Sequence, residues 1–179
     1  MGRMLNVGDR APDFDLADQT GKHISLASLK GKQVVVYFYP SAFTGGCNLE
    51  AHTFAENKEK FDAANATIIG VSSDSIARLN AFSADPQYCA GKIPVASDSD
   101  GVIAKSFDLK RSAGRPGMKD TRGEEINHEF TERTTFVITP DSRIAATFSS
   151  AEDKISPADH VEKSLAVVKQ LAAGKPTGH

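Results

Sequence analysis

Tryptophan is absent and cysteine nearly so: the 179 residues hold only Cys47 and Cys89. Two thiols so far apart, in no metal-type spacing, argue against a disulfide framework and against a zinc site. Long apolar runs are missing too. No segment approaches the length of a membrane span, and the start Met1-Gly2-Arg3-Met4-Leu5-Asn6 carries no signal-peptide stretch, which predicts a cytoplasmic protein without a membrane partner. Neither sign of charge is in excess, with 21 Lys and Arg against 23 Asp and Glu for a net charge of -2, so nothing in the balance pulls the chain toward nucleic acid. His52, His128 and the other histidines form no ligand constellation with neighbouring acidic residues, and neither a metal nor a cofactor is expected. What is present is an ordinary composition, 40% hydrophobic and 25% charged, in a chain long enough for one sizeable core and too short for two typical domains. The expected organisation is a single domain over residues 1–172 followed by a flexible tail, 173–179.

Short apolar segments alternate with segments of helical spacing. Strands are predicted over 34–39, 67–72, 93–96, 135–139 and 144–148, and helical segments over 46–62, 75–84, 102–107 and 157–172. Pro140-Asp141-Ser142-Arg143 reads as the turn between the last two strands. This βαβ rhythm predicts an α/β fold. From Lys110 to Thr131 the periodicity is lost. Arg111, Arg115, Lys119 and Arg122 lie scattered among three glycines and Pro116, without interleaved aromatics, a pattern that favours a solvated, mobile loop over a functional lid.

Cys47 is the chemically distinctive residue. It falls in the first turn of the predicted helix 46–62, just after the apolar strand and the linker Pro40-Ser41-Ala42-Phe43-Thr44-Gly45-Gly46. Unpaired backbone N–H groups and the positive end of the helix dipole favour a thiolate there and predict a lowered thiol pKa. Cys47, Ala51, Phe54 and Phe61 share helical spacing while Glu56, Lys58 and Glu59 fall toward water, which turns the sulfur inward.

The order Pro40, Thr44, Cys47, with Glu50 just after and Arg133 downstream in Glu132-Arg133-Thr134-Thr135-Phe136-Val137-Ile138, resembles the peroxiredoxin active site. That motif is Pro-x-x-x-(Thr/Ser)-x-x-Cys with a remote arginine. The steps Tyr37-Phe38-Tyr39-Pro40 and Thr44-Gly45-Gly46-Cys47, and the closing Arg133-Thr134-Thr135-Phe136-Val137-Ile138-Thr139-Pro140-Asp141, are most similar to the bacterioferritin-comigratory-protein, or PrxQ, subgroup of the AhpC/TSA superfamily. The opening Val7-Gly8-Asp9-Arg10-Ala11-Pro12-Asp13-Phe14 extends the likeness over most of the chain.

Together with the βαβ rhythm, the resemblance implies a thioredoxin-like fold, a central mixed β-sheet flanked by helices. It implies that Cys47 is the peroxide-attacking thiolate and that Arg133 supplies a permanent cation which depresses the thiol pKa and orients the peroxide. Thr44 would cap the helix and offer its hydroxyl to thiolate and peroxide. Pro40 would end the strand and shield the sulfur from water, and Glu50 would hold arginine side chains in place.

The chain departs from the family pattern at two positions. Gly45 stands where the Thr-Pro-Gly-Cys version has proline, which loosens the loop by up to about 1 kcal/mol. His52 stands where many PrxQ-like proteins hold a resolving cysteine. A sulfenic acid on Cys47 must be captured by a thiol before further oxidation. Some PrxQ-like proteins resolve from the helix after the second βα strand, where Cys89 follows the predicted helix 75–84. An external thiol is the alternative, and both readings stay open.

The implied activity is a thiol-dependent peroxidase for hydrogen peroxide and small organic hydroperoxides, recycled by thioredoxin or a similar dithiol, in a monomer or weak homodimer. A disulfide oxidoreductase normally needs Cys-x-x-Cys, whereas Cys47 is followed by Asn48-Leu49-Glu50. A glutathione-peroxidase site, resembling Cys with Gln and Trp, is weakened by the missing tryptophan. A non-enzymatic redox sensor or holdase that changes shape on Cys47 oxidation is the reading from another class.

Overall fold

The computed structural model describes residues 5–85, 92–113 and 117–174. It begins with a hairpin that the sequence reading passed over, β1 (Asp15–Asp18) and β2 (His23–Ser25). Asp18 closes its turn: Oδ1 accepts from the Thr20 and Lys22 amides and from the Thr20 hydroxyl, while Gly21 takes a positive φ of 85°. The apolar run Gln33–Phe38 forms β3, buried over its whole length, as a central strand in a covered sheet must be.

The expected helix 46–62 is two helices, α1 (Gly45–Glu56) and α2 (Lys58–Ala63). Asn57 separates them at φ -102° and ψ 6°, its side-chain amide donating to Thr53 O at 2.8 Å. Asparagine breaks the run because it hydrogen-bonds its own local backbone. β4 (Ala66–Ser72) and α3 (Ile76–Ala84) follow, then β5 (Val95–Ser97) and α4 (Val102–Ser106). Two short strands, β6 (Arg111–Ser112) and β7 (Phe130–Thr131), pair as a separate ribbon. The chain continues as β8 (Thr134–Ile138), β9 (Ile144–Ser149), a single turn α5 (Ser150–Asp153) and α6 (Pro157–Ala172). A Ser156–Asp159 capping box and Pro157 set the start of α6.

The seven-stranded sheet runs β2-β1-β5-β4-β3-β8-β9. β3–β4 and β4–β5 are parallel and the other pairs antiparallel, so the sheet is mixed. Side-chain alternation divides its core into two layers. Val35, Tyr37 and Tyr39 pack with Phe54, Phe61, Phe82 and Val161 from α1, α2, α3 and α6. Val34, Val36 and Phe38 face the opposite way against Phe14, Ala104, Phe107 and Phe136.

The segment 117–131 is not the solvated loop expected from its composition. Ile126 and Asp120 are buried, the Thr121 amide donates to Phe43 O at 2.8 Å, and the Arg122 guanidinium lies 3.7 Å over the Phe43 ring. Contacts between residues remote in sequence, invisible to a local pattern, tie it down. Cys89 and the tail 175–179 lie outside the described residues.

Candidate active site

Strand register builds the site. Phe38, the last residue of β3, pairs antiparallel with Thr134, the first of β8. The chain leaving β3 through Pro40 and the chain entering β8 at Arg133 therefore lie side by side at one end of the sheet. Cys47 opens the α1 face that packs there, and Glu50, three residues on, shares it. Arg133 Nη2 donates to Cys47 Sγ at 3.2 Å, and Nη1 donates to Glu50 Oε1 at 2.6 Å. The sulfur is 1% exposed and Glu50 is fully buried. One guanidinium thus bridges two groups able to carry negative charge, in a setting where its fixed fork and permanent charge count most.

Thr44 occupies the N-cap position of α1, but its hydroxyl does not cap the helix. It turns back to donate to Ser41 O at 2.8 Å and lies within reach of Cys47, whose anion it favours. Pro40 is half-buried just beyond β3. Burial pushes the Cys47 thiol above its usual pKa; Arg133, the Thr44 hydroxyl and the Ser41 backbone pull it down, and Glu50 pushes it up again. The lowering predicted from a helix start is outweighed by desolvation while the sulfur is packed. Burial likewise raises Glu50, to about 7, against the pull of Arg133.

A second polar cluster, unforeseen from sequence, holds the linker between β3 and α1. Asp74, just past β4, accepts from the Ala42 amide at 2.7 Å, Ser72 Oγ at 2.6 Å and Arg78 Nε at 2.8 Å, and pairs with His128 Nε2 at 2.7 Å. Arg78 extends the cluster, donating to Ala42 O at 3.1 Å and to Asp120 Oδ2 at 3.0 Å. Burial raises Asp74, but the hydrogen bond and charge of His128, then Ser72 and Arg78, more than offset it and hold the carboxyl at about 2. The available signal was the polar run Ser72-Ser73-Asp74-Ser75 at the carboxyl end of a parallel strand, where α/β proteins place their sites. A cavity of about 540 Å³ opens beside this cluster, lined by Ser73, Arg78, Arg111 and His128. Its arginines already meet carboxylates, Arg78 those of Asp74 and Asp120 and Arg111 that of Glu129.

With this geometry in place, comparison with known proteins is decisive. The AhpC/TSA family profile matches residues 7–147. The chain belongs to the AhpC/TSA family. Within it the relatives are peroxiredoxins of the Bcp and PrxQ kind. A putative peroxiredoxin of Mycobacterium tuberculosis is 33% identical over 89% of this chain and 92% of its own length. Peroxiredoxin Bcp of Bacillus subtilis is 30% identical over 94% of this chain and 98% of its own. Among solved structures, the bacterioferritin comigratory protein of Xanthomonas campestris, described for its alkyl peroxide reduction activity, superposes with a TM-score of 0.73 at 28% identity, covering 96% of this chain and 99% of that one. The mixed sheet with helices on both faces is the thioredoxin-like fold of these peroxiredoxins. Among the described residues, no group of three or more His, Cys, Asp or Glu could hold a metal ion, and no helix is long and apolar enough to cross a membrane.

Proposed function

We propose that this AhpC/TSA member is a cytoplasmic thiol peroxidase that reduces hydrogen peroxide and small organic hydroperoxides through Cys47. The observation that carries the reading is the Arg133 guanidinium, held by Glu50 and donating to the Cys47 sulfur at 3.2 Å. The Cys47 thiolate attacks one peroxide oxygen; the S–O bond forms as the O–O bond breaks, and the departing hydroxide or alkoxide takes a proton from water. Arg133, with the Thr44 hydroxyl, stabilises the charge that moves onto the leaving oxygen. Pro40 shields the sulfur from bulk water. Cys47 is left as a sulfenic acid, which condenses with the Cys89 thiol to a disulfide and water, and thioredoxin or a similar dithiol reduces that disulfide. Two features support an opening step before condensation: the sulfur is buried, and Gly45 and Gly46 form the first turn of its helix.

Steady-state turnover tests the proposal. With thioredoxin, its reductase and NADPH, hydrogen peroxide and an alkyl hydroperoxide should each be consumed continuously, and Cys47→Ser should abolish consumption with the fold intact. A single round of oxidation without turnover would instead establish a redox sensor. Residual activity in Cys47→Ser above about a tenth of wild type would remove Cys47 from the chemistry.

A further inference from the structure

Behind Arg133 the site continues to a buried histidine. His160, on α6, is fully buried; its Nε2 meets Ser150 Oγ at 2.8 Å and its Nδ1 meets Thr135 Oγ1 at 2.8 Å. Nδ1 also faces Glu50 Oε2 at 3.8 Å, and that oxygen is buried with no hydrogen-bond partner. A carboxylate oxygen left without a donor in a dry interior is strongly disfavoured, whereas a protonated one becomes a donor itself. A neutral imidazole has one N–H and one bare nitrogen. Were Nδ1 protonated, it would supply Oε2 with the donor it lacks; the unpartnered oxygen points instead to a bare Nδ1, with Thr135 donating to it and Nε2–H donating to Ser150.

We propose that His160 is a positioning residue: its bare Nδ1 keeps Glu50 protonated at Oε2 and so leaves the Arg133 cation to the Cys47 thiolate. The inference rests on the thiol-peroxidase reading of Cys47. With Glu50 neutral, one buried cation faces one buried anion; with Glu50 charged, two anions compete for a single guanidinium. Groups facing the pair are Cys47 on the same helix, Arg133 before β8, and Asp153 and Asp159 near the imidazole. The imidazole itself stays neutral, since burial and then Arg133 lower its pKa to about 4.

The test compares the pH dependence of Cys47 alkylation in wild type, His160→Gln, Glu50→Gln and the double variant, which needs no peroxide. A glutamine amide can donate to Glu50, favour its carboxylate and draw Arg133 away. His160→Gln should raise the pH midpoint of Cys47 ionisation by about one unit, a tenfold loss of thiolate below it. In the Glu50→Gln background the same change should have no effect. Infrared spectra of the wild type at a pH where Cys47 is ionised should show a protonated-carboxyl band that Glu50→Gln lacks. An equal shift in both backgrounds, no shift in either, or no such band overturns the proposal; if His160→Gln does not fold, the band alone decides. Intact coupling without peroxide turnover would defeat the peroxidase reading and leave this one standing.

Discussion

Gly46 and Arg133 touch where the helix bearing Cys47 begins: a methyl group added at Gly46 would lie 2.9 Å from Arg133 Nη2, the nitrogen that donates to the sulfur. Pro157 of α6 closes the same space from another side, 3.4 Å from that methyl. Glycine is required here by close approach, since its backbone is ordinary helix.

Gly46→Ala therefore separates stability from reactivity. Alanine favours a helix over glycine by up to about 1 kcal/mol, so the melting temperature should hold or rise. Displacing the guanidinium should slow oxidation of Cys47 by peroxide about tenfold, roughly 1.4 kcal/mol of barrier. Stopped-flow kinetics would show it, and an unchanged rate would mean that Arg133 does not act at its present distance.

Arg133→Lys asks the same question from the other partner. One rotating ammonium cannot serve Glu50 and Cys47 with two fixed N–H groups. The second-order rate with peroxide should fall substantially, while thermal stability, with a cation retained beside Glu50, changes less. A wild-type rate would take Arg133 out of the site.

Cys47 and its surroundings were legible because their geometry is local: a strand, a linker and a helix start put the sulfur at one end of the sheet, and Arg133 opens the strand that pairs with β3. Asp74, Arg78, Asp120 and His128 were not, since each reads alone as a surface charge and only the tertiary fold joins them around Ala42. The thiol pKa was misjudged for a related reason. Helix position can be read from sequence, but the burial that pushes the thiol up is a property of packing. Asn57 is an intermediate case, a local helix breaker obscured by the helical residues on either side.

Asp74→Asn should loosen the linker that carries Thr44 to Cys47. The buried carboxylate meets a histidine, an arginine, a serine and the Ala42 amide, and removing its charge leaves Arg78 and His128 underpaired. Breaking such a buried pair costs about 3 kcal/mol. Denaturant unfolding should show a loss of that size, and amide exchange should accelerate first around residues 40–47. Loss of stability without faster local exchange would mean that Asp74 supports the whole fold rather than the linker.

After one equivalent of peroxide, peptide mapping under non-reducing conditions should find Cys47 joined to Cys89. The bridge needs Cα atoms within about 7 Å, so it should form together with unwinding of the first turn of α1, seen as faster exchange at residues 45–49. Sulfenic or sulfinic acid at Cys47 with Cys89 still free would establish a one-cysteine enzyme served by an external thiol.

The pH dependence of stability reports on Glu50 directly. Its folded pKa of about 7 lies above the ordinary 4.5, so its contribution is fully present below 4.5 and is lost as pH rises through 7. His160 acts in the opposite sense: its folded pKa of about 4 lies below the ordinary 6.5, so its contribution is present above 6.5 and lost as pH falls through 4. In the wild type the two effects oppose each other across the same window. Glu50→Gln removes one of them. Relative to wild type, that variant should lose stability steadily as pH falls from 7 to 4.5, by about 3 kcal/mol at the lower end. Unfolding free energies measured at half-unit pH steps would show the divergence; parallel curves for the two proteins would mean that Glu50 titrates in the folded state as an ordinary carboxylate.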